Sequence, residues 1–458
     1  MRSHPLLTLC VTALIGIIGL IGILNIAFPE GEGGTIWEEQ EVAILRTLAI
    51  PQNIMEQSYE SLTNRYAGVE EAERFGHRLF FDEDLSINRE RSCASCHHPE
   101  KAFTDGLPTP ISEAEPITRN TPTIVGSGLS AWQFWDGRRD SLWSQALESL
   151  ESMNEHGTPR TLVALRVAEK HKEEYEAVFG TLPDFSDSRR FPPFASPDSG
   201  VQDSDVLWAQ MSEEDREQVN LVFTNVGKAI GAYEAKLVPA RSRFDEYIAS
   251  LNDQGEVMEG HKSALNQKEI AGLKLFMDEE SAQCISCHNG PMLSSFEFKA
   301  INAPDGSDEH TDRKDIGRKE GVIKLLAQEF NCKSKFSDAT PEMCDELNFV
   351  KADGMELEGA FKVPTLRNVA LTAPYMHSGV FNNLDEVLQY YNRPMIEKGV
   401  HIDVEPLKLV PHQLEQLEAF LMTLNGGIAV EKEWLQAPPM EGVKQNKKYA
   451  AETSSINF

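Results

Sequence analysis

Basic residues are in short supply in this chain. Its 458 residues hold 43 Lys and Arg against 72 Asp and Glu, a net charge of −29. Phosphate backbones repel so acidic a protein, so nucleic acid is excluded as a partner. The charge serves solubility, and the same field can steer a basic partner. With 41% hydrophobic and 25% charged residues the composition excludes a disordered chain. No strand-rich segment is evident, so the fold class is mainly α. The length suits one large domain or two to three ordinary ones.

A small-residue cleavage pattern is also lacking. Leu6 to Phe28 form an uncharged run, preceded by Arg2 and followed by Glu30 and Glu32. The apolar core of a cleaved signal is about 7–15 residues, whereas a membrane span needs about 20. Residues 1–28 are therefore expected to be an uncleaved signal anchor, positive end inside, with a long cleaved signal as the alternative. Either way the rest is exported, which predicts a periplasmic protein, tethered by 6–28 to the inner membrane if the anchor is kept.

Cysteine is sparse, at seven residues. Cys10 falls in the apolar run and is expected to be inert. Cys332 and Cys344 lie in a polar loop region, where an oxidising compartment favours a disulfide over two free thiols. The other four form two identical patterns, Cys93-Ala94-Ser95-Cys96-His97 and Cys284-Ile285-Ser286-Cys287-His288. This spacing marks covalent haem c attachment. Two thiols one helical turn apart can bond both haem vinyls, and the His that follows faces the iron. Chance supplies roughly 0.003 such matches per chain of this composition. A zinc site would need four close ligands, and a redox dithiol needs no His.

The segments around these motifs repeat. Gly76-His77-Arg78-Leu79-Phe80-Phe81-Asp82 precedes the first, with Phe75, Leu79 and Phe80 on one helical face. Gly272-Leu273-Lys274-Leu275-Phe276-Met277-Asp278 precedes the second. Two tandem cytochrome c-type haem domains are expected, over 70–250 and 262–428. A polar lead covers 29–69. Pro and Gly punctuate a loop over Gly106 to Gly128. A helix is expected over Ser141 to Met153. Pro, Ser and Asp enrich 182–205, which reads as a surface insertion. A long amphipathic helix with Val219, Val222, Val226, Ile230 and Tyr233 on one stripe follows, ended by Val238 and Pro239. The last helix is expected over Pro411 to Leu424. A tail, 429–458, turns polar and mobile from Glu441.

From about Glu70 to Asn425 the chain resembles the bacterial di-haem cytochrome c peroxidases and their MauG-like branch. The resemblance rests on Leu79-Phe80-Phe81-Asp82, Phe103-Thr104-Asp105-Gly106, Asn120-Thr121-Pro122-Thr123 and Phe134-Trp135-Asp136-Gly137-Arg138. In the second half it rests on Phe361-Lys362-Val363-Pro364-Thr365-Leu366-Arg367-Asn368 and Leu371-Thr372-Ala373-Pro374-Tyr375-Met376-His377-Ser378-Gly379. It implies a peroxidatic haem on His97 and an electron-transfer haem on His288, with Trp135 between them. It implies Glu155 as the distal acid that moves a proton between the two peroxide oxygens; Glu151 is the alternative position. Gln145 matches a glutamine that positions peroxide. Asn120, Thr372 and Pro374 match a calcium site of hard oxygen donors.

Two departures from the peroxidases stand out. The loop Gly106 to Glu115 has no His to block the peroxidatic iron, and His98 should not reach its far face, so that haem is expected to be open. At the position of the second haem's usual Met ligand stands Tyr391, with Met395 four residues on as the alternative. Histidine/tyrosine ligation resembles the MauG branch, where both haems share the oxidising equivalents. His377 is expected to be structural or to touch a haem propionate, and Arg367 to pair with one. The expected function is peroxide-dependent oxidation, with hydrogen peroxide as substrate and a small cytochrome, a quinol or a protein side chain as electron source. An ordinary peroxide-detoxifying peroxidase and a non-enzymatic electron carrier are the alternatives.

Overall fold

The computed structural model describes residues 37–112, 116–197, 199–306, 314–396 and 398–439. The uncharged run 6–28, Cys10, and the tail from Glu441 lie outside them. Among the described residues no helix is long and apolar enough to cross a membrane.

Helices dominate. The strands among the described residues are Phe298–Ala300 and Ala360–Lys362, paired antiparallel with Phe298 opposite Lys362. Helices 70–80, 142–151 and 160–170 pack on a central helix, Glu213–Lys236, to build one core. Ser212 caps the central helix by accepting from the Asp215 amide, and Glu213, Glu214 and Asp215 complement its N-terminal dipole. The expected stripe Val219, Val222, Val226, Ile230 and Tyr233 is fully buried. The helix stops at Lys236, just before Val238 and Pro239.

A second core forms where the helix Gln267–Met277 crosses Pro411–Leu421. Asn266 and Glu269 cap the first of these reciprocally. The expected last helix becomes a tighter 3-10 turn over Met422–Leu424. The helix expected over 141–153 spans Leu142–Glu151, because Ser141 is its cap and Ser152 turns to an extended conformation.

The repeat seen in sequence has a packing cause. A Cβ on Gly76 would lie 1.8 Å from the carbonyl oxygen of Ala229, and one on Gly272 would lie 1.9 Å from that of Gln416. In each half, a glycine lets the helix before the Cys-x-x-Cys-His motif touch the backbone of its partner helix.

Three expectations are corrected. The lead 29–69 is not merely polar: Trp37, Val42, Leu45 and Leu48 join the second core. Their spacing makes a narrow stripe on the helix Glu39–Leu48, diluted by glutamates in the sequence. The insertion 182–205 is not merely surface, since Leu182, Phe185, Phe191 and Ala195 pack into the first core. The start of the tail also returns to that core, where Trp434 is buried and Tyr233 Oη donates to its carbonyl at 2.6 Å. Cys332 and Cys344 form a disulfide, Cα atoms 5.6 Å apart, against Leu325 and Leu347.

Candidate functional site

One continuous cavity of about 430 Å³ runs along both Cys-x-x-Cys-His motifs. The motifs fold alike. Cys93–Ser95 and Cys284–Ser286 are short 3-10 turns, and the first is capped reciprocally by Ser92 and Ser95. Each following His is anchored through Nδ1, which lies 2.9 Å from the Phe103 carbonyl for His97 and 2.9 Å from the Leu293 carbonyl for His288. An Nδ1–H that donates to a carbonyl leaves the Nε2 lone pair for iron. Burial keeps both rings neutral, pushing His97 down and His288 to about 4. The four cysteines are not paired in disulfides, and burial raises Cys93, holds Cys96 up at about 11 and Cys284 at about 12. Thiols presented to an apolar cavity beside a tautomer-fixed imidazole fit two covalently held haems.

Beside the N-terminal motif, the helix Leu142–Glu151 brings Gln145 to the cavity, and the turn after it brings Glu155. Ser149 joins them: its hydroxyl accepts from Gln145 Nε2 at 3.0 Å and lies near enough to the Glu155 carboxyl to lower it. Burial raises the Glu155 carboxyl, Glu148 adds to this, and Ser149 and Arg138 oppose it. Glu151 is engaged elsewhere, in an ion pair 2.9 Å from Arg160 and a contact with Ser196. His98 sits 3.9 Å from Glu100, away from the cavity lining.

Trp135 lines the same cavity and is held at three points. Its indole Nε1 donates to the Asn120 carbonyl at 2.9 Å, its own carbonyl accepts from the Lys362 amide at 2.8 Å, and an ion-pair cluster flanks it. In that cluster Asp136 lies 2.6 Å from Arg119 and 3.0 Å from Arg138. Burial works against the Asp136 carboxylate, but Arg138 and Arg119 outweigh it and hold it at about 2. Arg119 also grips Asp315 at 2.7 Å.

At the C-terminal motif Tyr391 lines the cavity on the helix Leu384–Asn392. Burial raises its phenol, with Cys284 and Cys287 close enough to add to the effect. Met395 is 46% exposed and lies outside the lining. Asn120, Thr372 and Pro374 all line the cavity, and Asn120 Nδ2 donates to the Leu107 carbonyl at 2.8 Å. Among the described residues no group of three or more His, Cys, Asp or Glu could hold a metal ion.

The role expected of Arg367 is corrected. It is 2% exposed, pairs with buried Asp245 at 2.7 Å, and donates to the Leu48 and Pro291 carbonyls. It clamps the N-terminal helix to the second core, so its charge is spent before any propionate arrives. His377 is buried, stacks on Phe361 at 3.8 Å between ring centres and meets Asp305 at 2.9 Å.

Sequence reasoning missed four cavity residues. Lys362 is held by the Trp132 carbonyl at 2.7 Å, and burial pushes its amine down to about 8. Arg119 lines the cavity one residue before Asn120. Glu234 turns a buried carboxyl toward Cys93; its Oε2 has no hydrogen-bond partner, and burial pushes it up to about 8. His156 follows Glu155. Lys362 stood inside a quoted motif, but nothing marked Glu234 or His156 apart from other helix and loop residues.

The model of the di-haem cytochrome c peroxidase family matches residues 70–253. A cytochrome c551 peroxidase of Pseudomonas aeruginosa is 28% identical over 411 residues, 88% of this chain and 90% of its own length. The methylamine utilization protein MauG of Methylophilus methylotrophus is 23% identical over 80% of this chain and 84% of its own length. The solved di-haem peroxidase BthA of Burkholderia thailandensis shares the fold, with a TM-score of 0.56 and 21% identity over 77% of this chain and 86% of that one. Residues 70–253 carry the di-haem cytochrome c peroxidase family's pattern, and with its two Cys-x-x-Cys-His motifs on one cavity the chain is similar to the di-haem peroxidases.

Proposed function

We propose that this peroxidase reduces hydrogen peroxide at the haem held by Cys93, Cys96 and His97. Cys284, Cys287 and His288 would hold a second haem that supplies electrons, with Trp135 and Tyr391 lining the cavity beside it. The observation that carries the reading is the shared cavity, where Glu155, Gln145, Trp135 and Tyr391 meet both motifs. The haem irons supply peroxide reduction and electron storage. Gln145 orients the peroxide, and Glu155 delivers a proton to its departing oxygen. Burial raises this carboxyl, so it keeps a proton more readily than an exposed one does.

The Tyr391 position supports a MauG-like variant, in which the electrons come from a residue of another protein. A phenolate is a hard anionic donor that favours the oxidised iron. The cytochrome c551 peroxidase relative favours the second reading, peroxide removal with electrons from a small cytochrome. A calcium ion held by Asn120, Thr372 and Pro374 belongs to this proposal, since amide and carbonyl oxygens suit it. Export to the periplasm is supported by the Cys332–Cys344 disulfide.

The test is to add one equivalent of hydrogen peroxide to the ferric protein and record spectra from the Soret to the near-infrared. Loss of both ferric signals with a near-infrared band is the MauG-like outcome. Reaction only after prior reduction would sink the open-haem reading.

A further inference from the structure

His156 lines the cavity beside Glu155, and the proposed function gives it no work. Its ring is fixed as the two iron-facing histidines are. Nδ1 lies 3.1 Å from the Ser149 carbonyl, which leaves the Nε2 lone pair for the cavity. Its backbone is equally fixed, with its amide donating to the Ser149 carbonyl at 3.2 Å and its carbonyl accepting from Ile87 at 2.9 Å. Ser149 thus stands between both neighbours: its carbonyl holds His156, and its hydroxyl lies near enough to Glu155 to lower that carboxyl. Gln145 is tied to the same hydroxyl.

The electrostatics separate the pair. Burial, with the Arg91 and His97 charges adding to it, brings the His156 ring down to about 4, so it stands unprotonated at pH 7 with its Nε2 lone pair available. Burial and Glu148 raise Glu155 against Ser149 and Arg138, so it keeps its proton more readily than an exposed carboxyl. Two adjacent groups pushed in opposite directions make an acid and a base.

We propose that His156 accepts the proton hydrogen peroxide loses at the N-terminal site, while Glu155 supplies the proton its departing oxygen takes. The proposal rests on the peroxide-reduction reading above. The O–O bond breaks with its electron pair on the outer hydroxyl, which takes the Glu155 proton and leaves as water. The inner oxygen has given its proton to His156 Nε2. Two electrons from the protein donor, the proton returned by His156 and one solvent proton convert it to the second water. Another solvent proton restores Glu155. The sum is one peroxide, two electrons and two protons to two waters.

Cyanide tests this without turnover. At neutral pH it arrives as hydrogen cyanide and must lose a proton to bind ferric haem. The holoprotein and its His156→Gln variant, matched for Soret absorbance per chain, are mixed with cyanide in a stopped-flow instrument. The variant is expected to bind roughly 100-fold more slowly at pH 7, with an unchanged ferric electron paramagnetic resonance signal. The wild-type rate should hold from pH 7 to 5 and fall as pH approaches about 4. Equal rates in the two proteins overturn the role of His156 and leave the peroxide reading intact. A low-spin N-terminal haem that turns high-spin in the variant also overturns it, because His156 would then be an iron ligand. A wild-type protein that neither binds cyanide nor reacts with peroxide overturns both.

Discussion

Single side chains at this site work through their burial. In the proposed reading Glu155 is useful because burial raises its carboxyl while Ser149 stands beside it. Glu155→Gln should lower kcat for peroxide reduction by roughly 100-fold or more, with both haems still loaded; steady-state assays and Soret spectra check this. Tyr391→Met should raise the reduction potential of the C-terminal haem, on the order of 100 mV given the wide range that axial ligands span, as read by spectroelectrochemical titration. Glu234 makes a pH prediction. Its folded value is raised from 4.5 to about 8, so the folded chain holds a proton that the unfolded chain releases. Its contribution to stability is full below 4.5, falls as pH rises, and is lost above about 8. Glu234→Gln should therefore gain thermal stability relative to wild type as pH is raised from 5 to 9, measured by calorimetry across that range.

At the scale of elements, each haem motif hangs from a helix crossing made possible by one glycine. Where a Cβ would stand under 2 Å from a carbonyl oxygen, the helices must part. Gly76→Ala and Gly272→Ala should each cost about 1–3 kcal/mol or more. The damage should be local, with haem content falling at the N-terminal motif for the first and at the C-terminal motif for the second; denaturant melts and haem staining of tryptic fragments check it. These glycines were visible in the sequence as a repeat. The reason for them was not, because a repeat does not say which backbone will press on which residue. Helix types and most ends were legible too, from caps such as Ser212 and Asn266. The lead and the insertion were misread because a few apolar residues among many charged ones hide a buried stripe.

At the scale of the molecule, segments far apart in sequence close each core. The N-terminal helix is clamped by Arg367 to the second core, and the chain end returns Trp434 to the first. Arg119 pairs both with Asp136, near it in sequence, and with Asp315, far from it. The net charge of −29 should make reaction with a basic electron donor slow as salt is added, because Debye screening shortens the field. Turnover measured between 10 and 300 mM salt checks this, and a salt-independent rate would point to an uncharged donor such as a quinol.

By itself the sequence determined the two haem-attachment patterns and the resemblance to the di-haem peroxidases. Two Cys-x-x-Cys-His motifs are local patterns, and local patterns survive in one dimension. Through the resemblance it also offered Trp135, Glu155 and Tyr391 as candidates. Only the tertiary structure decided which groups share a cavity and in what state. It put Arg367 against Asp245, Glu151 against Arg160 and Met395 at the surface, and it brought Lys362, Glu234 and His156 to the lining. A charge's partner and a carboxyl's burial depend on contacts between distant segments, and those exist only once the chain is folded.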